Sequence, residues 1–374
     1  MALSLAGLVV LSACSTSEGT LLQNPAVQTH EYTFTEVVRG LKRPWALAFL
    51  PEGDILVTQR GGEIRLVRQG RLVATPVAGG PEVQAGGQGG LLDLTLHPDF
   101  SSNGLVYFSY SKALEGGVTT AVARARWDGE ALRELEDIFV ADAAKDGGRH
   151  FGSRLLFDGG GRLWVTVGDR GEGDPSQDLS NHMGTTLRLH DDGSVPEDNP
   201  FVGEDGARPE IYSYGHRNAQ GLDLHPGTGE VWLHEHGPRG GDAVQRVLAG
   251  RNYGWPEVSF GREYTFLPIP DPEPGQGFEL PLHHWTPSIA PSGMSFYTGS
   301  RFPAWRGDVF VGALAGRHLR RVVFDGLEPI HEEVLLEELG ERIRDVRTGP
   351  DGYLYILTDS DDGILGKLEP AGHD

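Results

Sequence analysis

Six times between about residues 45 and 357, an apolar strand runs into a turn of Pro, Gly or Asp and out into a second apolar strand. The first copy is Leu47-Ala48-Phe49-Leu50-Pro51-Glu52-Gly53-Asp54-Ile55-Leu56-Val57-Thr58. The second joins Leu94-Thr95-Leu96 to Leu105-Val106-Tyr107-Phe108 through His97-Pro98-Asp99. The third joins Leu155-Leu156-Phe157 to Leu163-Trp164-Val165, and the fourth joins Leu222-Asp223-Leu224 to Val231-Trp232-Leu233. A looser fifth links Met294-Ser295-Phe296-Tyr297 to Val309-Phe310-Val311, and the last links Val346-Arg347-Thr348 to Tyr353-Leu354-Tyr355-Ile356-Leu357. A spacing of roughly 45 to 70 residues is that of propeller blades with long insertions. Each hairpin is apolar on both faces, as it must be when sheet packs on sheet around an axis. The expected fold is therefore all-β, a single six-bladed β-propeller over residues 31–370. Tyr32-Thr33-Phe34-Thr35 alternates and is placed to complete the last blade. Residues 332–341 read equally as a helix or as an outer strand with a turn.

The 54 glycines and 24 prolines fit such a turn-rich chain, because apolar residues are spread throughout. Lys and Arg number 32 against 53 Asp and Glu, a formal charge of −21, which argues against a nucleic-acid partner. Clustered arginines stand out against that background. The one cysteine, Cys14, excludes an intramolecular disulfide and a cysteine-rich zinc site. It ends the apolar, small-residue run Met1 to Ala13, too short to span a bilayer. That run reads as a lipoprotein signal over residues 1–14, or as an ordinary secretory signal cut near Ala13 or Ser17. Either way the protein is expected to be exported, periplasmic or anchored through a lipid on Cys14, its only membrane contact. Residues 15–30 read as a polar tether.

Chemistry has to come from the loops between repeats, since a propeller alone says nothing about its ligand. His150 stands in Arg149-His150-Phe151-Gly152-Ser153-Arg154, directly before a buried strand and flanked by glycines that let a ligand or backbone come close. Gln88 sits in Gly86-Gly87-Gln88-Gly89-Gly90. Arg217 and Asn218 precede the fourth copy, a pairing that suits an anion or oxyanion. Glu235-His236-Gly237-Pro238-Arg239-Gly240-Gly241-Asp242 holds a Gly-Pro step able to present carbonyls, the ligand type calcium prefers, although a tight turn accounts for it equally. Arg342 and Arg344 alternate on one strand and so point the same way.

These motifs, with Gly168-Asp169-Arg170-Gly171, Asp192-Gly193-Ser194-Val195-Pro196 and Asn252-Tyr253-Gly254-Trp255-Pro256, resemble the soluble pyrroloquinoline-quinone-dependent sugar dehydrogenases, in particular their aldose sugar dehydrogenase branch. The resemblance runs over nearly the whole mature chain. It implies a quinoprotein in which His150 takes the proton of an aldose's anomeric hydroxyl while hydride passes to the quinone. The resulting lactone hydrolyses to an aldonic acid, and the electrons leave to an external acceptor. It further implies that Asp169 orients His150 and that Arg217 stabilises the developing charge. Gln88, Asn218, Arg342 and Arg344 would hold the cofactor. Gly237 and Pro238 would hold calcium, with Asp242 and Tyr253 as further metal positions. Two departures stand out. Ala315 falls where glucose-specific relatives carry a cofactor-contacting lysine, with Arg317 close by, and Ala243 falls where a glutamate often binds a structural calcium. A sugar lactonase and a non-catalytic binding propeller are the alternative readings.

Overall fold

The computed structural model describes residues 21–372. The signal reading on residues 1–14, Cys14 included, lies outside them.

Six four-stranded antiparallel sheets follow one another along the chain. Blade 1 opens with Pro44–Phe49, blade 2 with Leu91–Leu96, blade 3 with Leu155–Phe157, blade 4 with Ala219–Leu224, blade 5 with Pro291–Phe296 and blade 6 with Ile343–Thr348. These opening strands lie side by side around the axis, so each sequence repeat is the innermost hairpin of one blade. Ring closure is as expected: Tyr32–Leu41 pairs with Gly363–Pro370 and gives blade 6 its outer strand. Residues 332–341 resolve as the end of the outer strand Glu328–Leu335 and a short 3-10 turn, Glu337–Leu339. The described part of the expected tether is laid against blade 5. The Leu22 carbonyl accepts from Glu332 N, the Gln28 carbonyl accepts from Arg321, and His30 packs edge-on against Trp305.

The two-faced apolar hairpins have a direct physical reason. One apolar layer lies between each neighbouring pair of blades. Trp45, Leu56, Leu94 and Phe108 join blades 1 and 2, for example, and Val38, Leu47, Val57 and Leu357 join blades 6 and 1. Each fully buried Leu, Val or Phe stabilises its layer by about 1.5–3 kcal/mol.

The ring's interior is tied by charge. Arg154 Nη1 reaches Asp345 at 2.9 Å and Asp93 at 3.4 Å, while Arg347 reaches Asp93 at 2.8 Å and Asp345 at 3.1 Å. Two arginines and two aspartates from blades 2, 3 and 6 thus close a neutral ring, and both aspartates are fully buried. Each loop that precedes an opening strand sits at one rim of this plugged axis. That geometry is what gathers Gln88, His150, Arg217 and Arg342.

Candidate active site

His150 is turned inward by an unusual backbone. Its φ is +49°, in the left-handed region that a β-carbon disfavours. The loop is pressed onto the end of the neighbouring strand. A β-carbon on Gly168 would stand 2.1 Å from the His150 carbonyl oxygen, so only glycine fits there. Gln88 Oε1 accepts from His150 N at 2.7 Å and pins the loop from blade 2.

On the ring side, His150 Nδ1 lies 2.6 Å from Asp169 Oδ1. The same oxygen accepts from Gly171 N at 2.7 Å, and Oδ2 accepts from Trp255 Nε1 at 2.7 Å. Burial alone would raise the Asp169 pKa, but the hydrogen bond from His150, the Gly171 N–H and the Arg217 charge outweigh it and hold the carboxyl below its usual value. An ionised Asp169 can only accept, so the His150 proton sits on Nδ1 and Nε2 is left as the basic nitrogen. Burial, followed by the Arg217 charge, depresses the His150 pKa against the pull of Asp169. The imidazole is therefore neutral at pH 7.

Arg217 shares a cleft of about 650 Å3 with His150, Asp169, Gln88, Trp255 and Pro238. It is buried, and among the described residues no carboxylate lies within ion-pairing distance of it. Its Nη1 donates to the carbonyls of Gly237 at 3.0 Å and His236 at 3.3 Å, and its Nε has no partner among the described residues. Its guanidinium carbon stands 5.2 Å from the centre of the Trp255 ring. A buried cation without a counter-charge is costly, and an anion in the cleft would offset that cost. Asn218 sits behind it, with Oδ1 accepting from Gly152 N at 3.1 Å.

The remaining expected residues separate into two groups. Arg342 and Arg344 stand at the same rim but do not line this cleft. Both turn to Asp359, at 3.2 and 3.5 Å, and Arg344 Nη1 also donates to Gln220 Oε1 at 3.1 Å. Burial pulls the Arg344 pKa down to about 10. Gln220 in turn donates to the Gly152 carbonyl at 2.8 Å, so Arg344 reaches the His150 loop through one intermediary. Asp242 has its two oxygens filled by Gly237 N, Ser288, Ile289 N and Ala290 N, and burial lifts its pKa to about 6. It braces the Gly-Pro turn and has no oxygen turned to a metal in the cleft. The Tyr253 hydroxyl donates to the Arg246 carbonyl and accepts from Leu248 N, and its ring stacks on His216 at 4.4 Å. With Ala243 it lines a separate small cavity behind Arg217. Ala315 and Arg317 also lie away from His150. Ala315 N donates to Ile289 O, and Arg317 reaches Gly340 O at 3.1 Å. Among the described residues, no group of three or more His, Cys, Asp or Glu could hold a metal ion, so a cation at the Gly-Pro turn would rest mainly on backbone carbonyls.

Sequence reasoning did not single out Trp255, Tyr264, Glu172, Asp174 or Glu263, all of which line the cleft. Trp255 did stand inside a quoted Gly-Trp-Pro motif. An aromatic flanked by turn formers was the available signal, but its partner Asp169 lies far off in sequence.

A family model described as Glucose / Sorbosone dehydrogenase matches residues 41–367. The aldose sugar dehydrogenase YliI of Escherichia coli is 43% identical over 336 residues, covering 88% of this chain and 91% of that protein. Among solved structures, a glucose dehydrogenase superposes with a TM-score of 0.87 at 46% identity, covering 90% of this chain and 99% of its own. The pyrroloquinoline-quinone-bound aldose sugar dehydrogenase of Streptomyces coelicolor superposes with a TM-score of 0.75 at 30% identity, covering 91% and 99%.

Proposed function

Because this chain belongs to the glucose/sorbosone dehydrogenase family, we propose that it oxidises aldoses at the anomeric carbon to lactones, using pyrroloquinoline quinone with calcium and passing electrons to an external acceptor. The observation that carries this reading is one cleft in which a neutral, carboxylate-held imidazole faces a buried arginine without a counter-ion. The donor set suits a flat polyanion: Arg217, with no carboxylate paired to it among the described residues, lines the cleft together with Arg149 and Gln88, and Trp255 supplies an aromatic wall. For calcium, the Pro238 carbonyl and the Gly237 carbonyl, which also accepts from Arg217 Nη1 at 3.0 Å, are the groups that would serve. The Asp242 carboxylate is engaged by its own turn and the 288–290 loop, and Tyr253 would contribute its backbone carbonyl, since its hydroxyl is engaged by Arg246 and Leu248.

When bound, the quinone supplies the two-electron oxidant that takes hydride from C1, and calcium the Lewis acid that polarises it. The chain's own part is acid–base and electrostatic. His150 Nε2 removes the anomeric hydroxyl proton as C1 loses hydride, so the products are a lactone and an imidazolium. Asp169, at 2.6 Å, stabilises that imidazolium and keeps the proton on Nδ1. Arg217 holds negative charge opposite the base without reorganising, because its loop is fixed by Glu235 Oε2 accepting from Arg217 N. Arg344 and Arg342 would steady anionic groups further along the rim. Export, with Cys14 carrying a lipid, belongs to the same reading.

The test is aldose-dependent dye reduction by the protein supplied with quinone and calcium, repeated on His150→Gln. Turnover is expected to fall about a thousandfold while quinone binding, read by absorbance, persists. Unchanged turnover would overturn the role of His150. The rim carboxylates Glu172, Asp174 and Glu263 are the one feature that a metal-dependent lactonase would share. Lactone hydrolysis without quinone would favour that second reading.

A further inference from the structure

We propose that Trp255 is the positioning residue that holds the base and the guanidinium apart: its indole N–H fixes the carboxylate behind His150, and its ring face fixes Arg217. The inference rests on the reading of His150 as the base.

Asp169 and Arg217 are oppositely charged, both buried, and adjacent: Asp169 N donates to the Arg217 carbonyl at 2.9 Å. In a medium of low dielectric such groups attract strongly. Arg217 has an Nε to spare, and Asp169 Oδ2 is the oxygen not used by His150. Left to themselves, the two would close into an ion pair. That pair would draw the carboxylate off His150 and take the guanidinium out of the cleft. Trp255 meets both groups. Its Nε1 donates to Oδ2 at 2.7 Å, so that oxygen is satisfied by a neutral donor. Its ring lies 5.2 Å from the guanidinium carbon, which gives Arg217 a π face in place of a carboxylate.

The placement is itself braced. Trp255 N donates to the Gly215 carbonyl at 2.9 Å, two residues before Arg217, and its own carbonyl accepts from Gln177 Nε2 at 2.7 Å. Asp169 follows the second strand of blade 3, Arg217 precedes blade 4, and Trp255 comes from the long insertion 247–282 before the outer strand of blade 4. One side chain of that insertion therefore sets the spacing between two blades' functional groups.

Trp255→Phe keeps an aromatic face and removes the N–H. A benzothienylalanine analogue at position 255, with sulfur in place of the indole N–H, removes only the donor and serves if the phenylalanine variant does not fold. The primary readout is nitrogen-correlated NMR of His150 in the protein without quinone or sugar. We expect solvent exchange of the Nδ1 proton to quicken at least tenfold and the His150 titration to move to lower pH as Arg217 closes on Asp169. With quinone and calcium supplied, kcat for an aldose should drop roughly 10- to 100-fold while KM stays within about threefold. An Nδ1 proton, titration and kcat like those of the unaltered protein would reduce Trp255 to packing, and a titration moving to higher pH would show that Arg217 is not the group held off. The NMR arm needs no turnover. An unaltered protein that oxidises no aldose would overturn the proposed function while leaving the positioning result readable.

Discussion

Replacing Asp169 with asparagine removes one charge from a carboxylate whose three donors are all accounted for. Oδ1 takes His150 Nδ1 at 2.6 Å and Gly171 N at 2.7 Å, and Oδ2 takes Trp255 Nε1 at 2.7 Å. A carboxamide has a single oxygen. With that oxygen in the Oδ1 position, two donors stay satisfied and the amide NH2 meets the indole N–H, donor against donor. In the reverse orientation the oxygen takes Trp255 Nε1, the NH2 donates to His150 Nδ1 and Gly171 N is left unmet, so His150 carries its proton on Nε2, where it cannot act as a base. Each orientation keeps two hydrogen bonds and sets one N–H against the amide NH2, so the loss in the first orientation is the minimum and any share of the second deepens it. One buried donor is then unmet, at a cost of about 1–3 kcal/mol in stability. The imidazolium formed during turnover loses a charge-assisted bond worth about 1.5–3 kcal/mol, which converts to roughly 10- to 100-fold in rate. Because Asp169 raises the His150 pKa, its loss should also move the acid limb of kcat/KM to lower pH. The assay is aldose-dependent dye reduction across pH, with quinone and calcium supplied, alongside urea unfolding. A rate within threefold of the unaltered protein and an unmoved limb would refute the reasoning, as would a limb moving upward.

Arg217→Gln should move that acid limb the other way, toward 6.5, because the Arg217 charge is one of the causes that lower the His150 pKa; a pH–rate profile checks it. Arg154→Met leaves Asp93 and Asp345 facing each other with only Arg347 between them, so unfolding in urea should show a loss of about 3–5 kcal/mol. Gly168→Ala would place a β-carbon 2.1 Å from the His150 carbonyl. The loop must then shift, and turnover should fall about a hundredfold with circular dichroism unchanged.

The six blades were legible because every repeat is apolar on both faces, and only a sheet covered on each side needs that pattern. Closure by Tyr32–Leu41 was legible for a related reason, since an alternating strand ahead of the first repeat needs a sheet to join. The glycines around residues 150 and 168, and the two arginines at 217 and 344, likewise marked the loops of the rim. Periodicity carries no information on pairs far apart in sequence, however. That Asp242 would spend its carboxylate on Gly237 and the 288–290 loop, and Arg342 and Arg344 their guanidinium groups on Asp359, follows from contacts between separate loops that no local rule predicts. The chain order alone determined a toroid of six sheets with a histidine, amides and arginines at one end. Tertiary structure decided which of them meet: it set Asp169 behind His150, left Arg217 without a counter-ion, and brought Trp255 from a distant insertion between them. The reason is physical. Backbone pattern is dictated by near neighbours and by water, whereas the partner of a buried charge is chosen by whatever the closed ring brings within hydrogen-bonding distance.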